Sequence, residues 1–365
     1  MRRLAIVTAG GDCPGINAVI RAVAKTAIND YGMEVVGILD GFLGLIESRW
    51  RKLSYHDVSG IIMLGGTILG TSNRANPFKY AVGKKGDEPE FADVSDRVIA
   101  NFEKIGASTL IAIGGDGTLH IAQRLYEKGL PVIGIPKTID NDVDCTDRTF
   151  GFDSAVATAT EAIDKIHTTA QSHHRVMMVE VMGRYVGWLA LFAGVAGGGD
   201  VILIPEIPFD IEIVAKRVVE RSRRGKRFSI VVVAEGAKSV GGDLVVRKIV
   251  KDSTDPVRLG GIADRIAHEI EKRTGLETRV TVLGHLQRGG PPTAFDRVLA
   301  TRFGSLAAGL AAQGKSGIMV ALKGEDIVTV SIADAIARLK SVPPDHDLIK
   351  SALSVGTSFG VSELP

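Results

Sequence analysis

Short aliphatic runs recur along the chain, and each gives way to a glycine-rich turn or polar cluster and then to a helical pattern. Leu4–Thr8 leads into Gly10-Gly11-Asp12-Cys13-Pro14-Gly15, after which Asn17 opens a helical pattern to about Ile28. Leu110–Ile113 leads into Gly114-Gly115-Asp116-Gly117-Thr118 and a helix to about Lys128. Val132–Ile135 leads into Pro136-Lys137-Thr138-Ile139-Asp140-Asn141-Asp142. Further runs are Val176–Val181, Val201–Ile204, Ile230–Ala234 and Arg279–Leu283. Near-continuous apolar strands that alternate with helices belong to parallel sheets covered on both faces. The pattern predicts an α/β chain of two doubly wound, mostly parallel sheet lobes.

At 365 residues the chain has room for two domains of roughly 150 residues each. The expected division sets 1–151 plus 287–337 in one lobe and 152–286 plus 338–365 in the other. Asp12, Asp116, Asp140, Asp142, Glu180, Glu235, His285 and Arg288 stand at or just after the ends of apolar runs. Open α/β sheets bind ligands beyond the carboxyl ends of their strands, so an active site in the cleft between the lobes is expected. Lys79–Asp96, with Lys84-Lys85-Gly86-Asp87-Glu88-Pro89, reads as an exposed excursion. The tail after about Asp345 reads as a packing extension.

Charge narrows the function classes. Lys plus Arg number 44 against 42 Asp plus Glu, a net of +2. Nucleic-acid and polybasic-membrane partners need a clear positive excess, which this chain lacks. Its two cysteines, Cys13 and Cys145, make neither a disulfide framework nor a zinc site, and they read as inert small residues. The apolar run after Met1-Arg2-Arg3 is too short for a signal peptide, and Val186 to Gly199 is too short to span a bilayer. A cytoplasmic protein is expected.

The turns carry the candidate chemistry. Glycines in Gly114–Thr118 let backbone N–H groups approach phosphate oxygens, and the next helix offers its N-terminus to an anion. Asp116 is placed to hold Mg²⁺, which commonly takes one or two carboxylates plus phosphate oxygens. Asp140 and Asp142 put two carboxylates in three residues, one able to accept a hydroxyl proton while the other orients it or supports a metal-bound water. Lys137 adds a cation. Arg74, Arg175, Arg184, Arg279 and Arg288 recur beside strands, and guanidinium forks suit phosphates. One such arginine is ordinarily a surface residue; their shared position raises the set above that. Arg221–Arg227 reads as a helix C-terminus whose charge complements the dipole.

In this order and spacing the motifs Gly10–Asn17, Gly65-Gly66-Thr67, Gly114–Thr118, Pro136–Asp142, Met182-Gly183-Arg184, Ala234-Glu235-Gly236 and Gly284–Gly290 resemble the 6-phosphofructokinase family, from residue 4 to about residue 305. The resemblance implies phosphoryl transfer from ATP to the 1-hydroxyl of fructose 6-phosphate, with the first lobe binding the nucleotide and the second the sugar phosphate. It makes Asp140 the base and places Thr138 beside the moving group. Arg74 and Arg184 neutralise charge there, and Asp116 holds Mg²⁺. Gly11, Arg74, Ala75, Gly115, Asp116, Gly117 and Thr118 would hold the nucleotide. The sugar phosphate would meet Thr138, Ile139, Asp140, Met182, Gly183, Arg184, Glu235, His285, Leu286, Gln287 and Arg288. Arg175 and Arg279 would reach in from a neighbouring subunit, so a homodimer or homotetramer with shared active sites is expected.

The resemblance also frames donor choice. Pyrophosphate-using relatives carry Asp where this chain has Gly117, and Lys at the position of Lys137. Gly117 leaves room for the α-phosphate of ATP, so ATP is the expected donor and pyrophosphate the alternative. Arg21, Lys25 and Lys226 match part of a basic effector pocket of bacterial ATP enzymes. Leu64 replaces an arginine there, and His167 stands at another basic position. A weakened effector site follows.

Overall fold

The computed structural model describes residues 2–85, 88–249 and 257–364. The chain divides into two compact units. One draws on Met1–Ser154 and Arg288–Leu339, the other on Ala155–Ile249, Val257–Gln287 and Lys340–Pro365.

The first unit is built on a seven-stranded sheet. From edge to edge its strands are Asp326–Ser331, Ile318–Lys323, Val132–Pro136, Thr109–Gly114, Arg3–Thr8, Glu34–Ile38 and Trp50–Leu53. The five inner strands run parallel and the two edge strands antiparallel. Alternation splits the side chains between two buried faces. Ala5, Val7, Leu110 and Ala112 pack with Phe42, Leu45, Phe102 and Leu119 from three helices on one face. Leu4, Ile6, Ile111 and Ile133 are equally buried. Helices Ile16–Tyr31 and Ala294–Ala312 pack on one another and against inner strands of the sheet. Their backbones close up at Gly304, where a β-carbon would lie 2.7 Å from that of Ala22.

The second unit is built on a four-stranded, wholly parallel sheet in the order Thr278–Val282, Val176–Val181, Ser229–Ala234, Val201–Leu203. Val176, Met178, Val231 and Val233 pack with Val214 and Val218 of helix Ile211–Arg223 and Ile262 and Ile266 of helix Ile262–Thr274. The tail lies along the outer edge of Val201–Leu203. Ile202 N–H donates to Ser358 O (2.9 Å), and Ser358 N–H donates to Asp200 O (3.0 Å). Backbone groups that an edge strand would leave unpaired are thereby satisfied.

Several expectations need correction. The first helix starts at Ile16, not Asn17, and runs to Tyr31. Asn17 is buried, and its amide braces a loop, donating to Leu64 O and Gly65 O (both 3.1 Å) and accepting from Ile68 N–H (2.9 Å). Lys79–Asp96 is largely exposed, as expected, and is built as an antiparallel hairpin, Tyr80–Lys85 with Glu88–Ala92; Gly86 and Asp87 lie outside the described residues. The edge strands Trp50–Leu53 and Asp326–Ser331 escaped the apolar-run pattern because they are half-exposed. No helix among the described residues is long and apolar enough to cross a membrane.

Candidate active site

In the first unit three turns meet. Strands Arg3–Thr8, Thr109–Gly114 and Val132–Pro136 are successive parallel neighbours, so their carboxyl ends bring Gly10–Asp12, Gly115–Thr118 and Lys137–Asp142 together. The fit needs absent side chains. A β-carbon on Gly10 would lie 3.4 Å from Thr118 Oγ1, and one on Gly115 would lie 3.2 Å from Lys137 O. Lys137 N–H donates to Gly114 O (2.9 Å), and its Nζ donates to Gly11 O. Thr71 Oγ1 donates to Gly10 O (2.6 Å), which ties the Arg74 loop to the first turn. Arg74 is exposed, whereas the Ala75 side chain belongs to the apolar core.

The Lys137–Asp142 turn is braced from within. Thr138 Oγ1 accepts from Asp140 N–H (3.1 Å), and its hydroxyl favours the charged form of the nearby Asp142 carboxylate. Asn141 is fully buried at φ 54°, and its Oδ1 accepts from Thr149 N–H (3.0 Å). Ile139 is buried beside it. Burial raises the Asp142 pKa, and the Asp116 carboxylate raises it further. Burial also raises Asp116, against the pull of His120, whose Nδ1 lies 3.3 Å from its Oδ1. Two buried carboxylates close enough for Asp116 to raise the proton affinity of Asp142 suit a shared divalent cation.

Asp116 opens helix Asp116–Glu127 with no side-chain cap, so first-turn N–H groups face the turn region. Gly117 is exposed, and a β-carbon there would meet nothing within 4 Å. Arg288 belongs to this unit and lies against Gly11; a β-carbon on Gly11 would sit 2.9 Å from its Cζ, with Nη1 nearer still.

In the second unit the carboxyl ends of three parallel strands bring a second set together. Glu235 N–H donates to Val181 O (2.9 Å), and Gly236 N–H donates to Gly183 O (3.0 Å). Gly183 has φ +132°, and a β-carbon there would lie 2.8 Å from Val186 O. Met182 N–H donates to Oε1 of the fully buried Gln287 (3.4 Å), whose Nε2 donates to Gly284 O (3.1 Å). Met182, Gly183, Arg184, Glu235 and Gln287 therefore share one rim, with His285 and Leu286 exposed on the same short helix as Gln287.

A phosphofructokinase family model matches residues 3–311. The chain belongs to the phosphofructokinase family. It is 51% identical over 363 residues to ATP-dependent 6-phosphofructokinase 2 of Clostridium perfringens, covering 98% of each chain. It is 52% identical over 359 residues to ATP-dependent 6-phosphofructokinase of Spirochaeta thermophila, again covering 98% of each. Among solved structures, Pichia pastoris phosphofructokinase in the T-state is 34% identical with a TM-score of 0.79; the match covers 92% of this chain and 37% of the yeast one. The pyrophosphate-dependent phosphofructokinase of Marinobacter aquaeolei aligns over 100% of this chain and 93% of its own, with a TM-score of 0.78 and 22% identity, and shares the fold.

Two of the expected phosphofructokinase residues lie elsewhere in the second unit. Arg175 precedes strand Val176–Val181, and Arg279 pairs in register with Met177. Both salt-bridge Glu277, Arg175 at 2.9 Å. That is the amino end of the sheet, about 17 Å along a strand from the rim that carries Met182.

Glu180 is a correction. It lies within its strand, 2% exposed, and its carboxylate accepts from Gly261 N–H (3.2 Å) and Ala263 N–H (3.0 Å) at the start of helix Ile262–Thr274. It caps that helix and is not a ligand group. A charge inside the otherwise apolar run VMMVEV was the available signal. Arg221 likewise leaves the basic run to pair with Asp200 (2.8 Å). Burial pushes the Cys13 thiol up to about 12, in keeping with an inert residue. Sequence reasoning missed Glu206, which accepts from Gly187 N–H (3.0 Å) and Val342 N–H (2.9 Å), and so ties the segment after Arg184 to the stretch that leads into the tail.

Proposed function

We propose that this chain is an ATP-dependent 6-phosphofructokinase that phosphorylates fructose 6-phosphate at the 1-hydroxyl, giving fructose 1,6-bisphosphate and ADP. The observation that carries the reading is half-identity, over nearly full length, to relatives named for that activity. The first unit is then the nucleotide-binding lobe and the second the sugar-phosphate lobe. Asp140 accepts the 1-hydroxyl proton as O1 attacks the γ-phosphorus and ADP departs. Its support is the internally braced turn, which fixes the backbone that carries it. Arg74 and Arg184 stabilise charge on the transferring group, with Thr138 beside it. Gly11, Ala75 and Gly115–Thr118 hold the nucleotide; Ile139, Met182, Gly183, Glu235, His285, Leu286, Gln287 and Arg288 hold the sugar phosphate.

Asp116 would hold Mg²⁺, and the rise that its carboxylate imposes on the buried Asp142 supports a cation there. When bound, Mg²⁺ supplies charge neutralisation at the phosphates. Arg175 and Arg279 sit at the opposite end of their sheet from the Met182 rim, which supports their service to a neighbouring copy's site in a homo-oligomer. The enzyme is read as cytoplasmic.

The deciding assay follows fructose 1,6-bisphosphate formation with Mg²⁺ and either ATP or pyrophosphate. Turnover with ATP is expected; turnover with pyrophosphate alone would reverse the donor assignment. Asp140→Asn should lower kcat by about 10²–10⁴-fold while fructose 6-phosphate still binds. Equal loss of binding would remove Asp140 as the base.

A further inference from the structure

A turn of two adjacent glycines is the least self-constrained backbone available, and Gly10 is at φ +79°. If such a turn is to present N–H groups in a fixed direction, something outside it must hold it. Lys137 meets that need. It is 4% exposed, its backbone N–H is fixed to Gly114 O (2.9 Å), and its Nζ donates to the carbonyl oxygen of Gly11. The charged and titratable groups facing the ammonium are Cys13, Arg288, Asp12 and Asp142.

In a trans peptide the carbonyl and the following N–H point in opposite directions. Every described peptide bond is trans. Fixing the Gly11 carbonyl on Lys137 therefore directs the Asp12 N–H away from the ammonium. Arg288 fills the space at Gly11 where a side chain would stand. The peptide is held at its oxygen and covered at its α-carbon.

We propose that Lys137 is a positioning residue of the donor site: its buried ammonium holds the Gly10-Gly11 turn through the Gly11 carbonyl and does not touch the donor's phosphates. This rests on the reading that the turn receives ATP. It accounts for a lysine beside a Gly117 turn that is open to a nucleotide, since the ammonium serves the backbone whichever donor is used.

The first arm uses the native enzyme. Reductive methylation followed by peptide mapping, with and without ATP, should leave Lys137 unmodified in both cases while the exposed Lys104 and Lys315 react. Any modification of Lys137 in the free enzyme overturns the proposal, including one that ATP suppresses. The second arm is Lys137→Met. Loss of a charge-assisted hydrogen bond to the turn should raise KM for ATP by about tenfold or more, with kcat and KM for fructose 6-phosphate within about threefold. A fall in kcat of about a hundredfold at unchanged KM would mark contact with the transferring group and overturn it. Unchanged KM for ATP, or an equal rise in both KM values, would also overturn it. Failure of the functional reading shows separately, as wild-type enzyme that makes no fructose 1,6-bisphosphate from ATP.

Discussion

The guanidinium of Arg288 occupies the space that a side chain at Gly11 would need. A residue assigned to the sugar phosphate and one assigned to the nucleotide thus share one van der Waals boundary. Gly11→Ala must displace Arg288, so KM should rise by about tenfold for fructose 6-phosphate as well as for ATP. Steady-state kinetics with each substrate varied in turn check this. A rise confined to ATP would show that Arg288 binds its substrate from another position.

Gly117 has open space where a β-carbon would go, at the second residue of its helix. Gly117→Asp therefore costs the fold nothing sterically, and a carboxylate in a first helical turn is favoured by about 0.3–1 kcal/mol. The melting temperature should hold or rise, while KM for ATP rises by about tenfold or more through repulsion of the donor phosphates. Thermal melts and kinetics on one preparation separate the two effects. Unaltered ATP use would place the nucleotide away from this turn.

Glu206 holds two backbone N–H groups with one oxygen, Gly187 on the segment after Arg184 and Val342 on the stretch that leads into the tail. Glu206→Gln keeps an oxygen acceptor, and a loss of no more than about 1 kcal/mol is expected. Glu206→Leu leaves both donors unsatisfied and should cost about 2–4 kcal/mol, with earlier proteolysis of the tail. Denaturant titration and limited digestion would show it; equal stability of the two variants would mean the tail is held by other contacts.

Asp296 is fully buried and accepts from Ser154 N–H (2.8 Å) and Ser154 Oγ (2.6 Å), yet burial pushes its pKa from 3.8 up to about 6. The folded chain therefore binds this proton more tightly than the unfolded chain. The resulting stabilisation is complete below the unfolded pKa and is lost as pH rises through about 6. Asp296→Asn keeps an oxygen acceptor without the charge. The wild type should gain stability relative to the variant, by up to about 3 kcal/mol, between about pH 7 and about pH 4. Parallel stability curves across that range would contradict a strained buried carboxylate.

Much of the site was readable because its chemistry sits in contiguous turns. The Gly114–Thr118 and Pro136–Asp142 segments declare themselves through glycine spacing and paired carboxylates, and strand order does the rest once the runs are seen as parallel. Glu180 misled because a polar residue near a strand end looks the same in sequence whether it faces a ligand or a helix N-terminus. Glu206 was invisible because the N–H groups it serves belong to Gly187 and Val342, far apart in the chain.

The chain's own residues determined the strand–turn–helix units, the carboxylates and cations in each turn, and the openness at Gly117, since these follow from local periodicity and side-chain size. Only the tertiary structure decided what each long side chain does. Lys137 has four side-chain torsions, and nothing in its neighbours along the chain says whether its ammonium meets a phosphate or a carbonyl. The parallel packing of strands Arg3–Thr8, Thr109–Gly114 and Val132–Pro136 brings Gly11 O within its reach, and burial leaves the ammonium to be satisfied there.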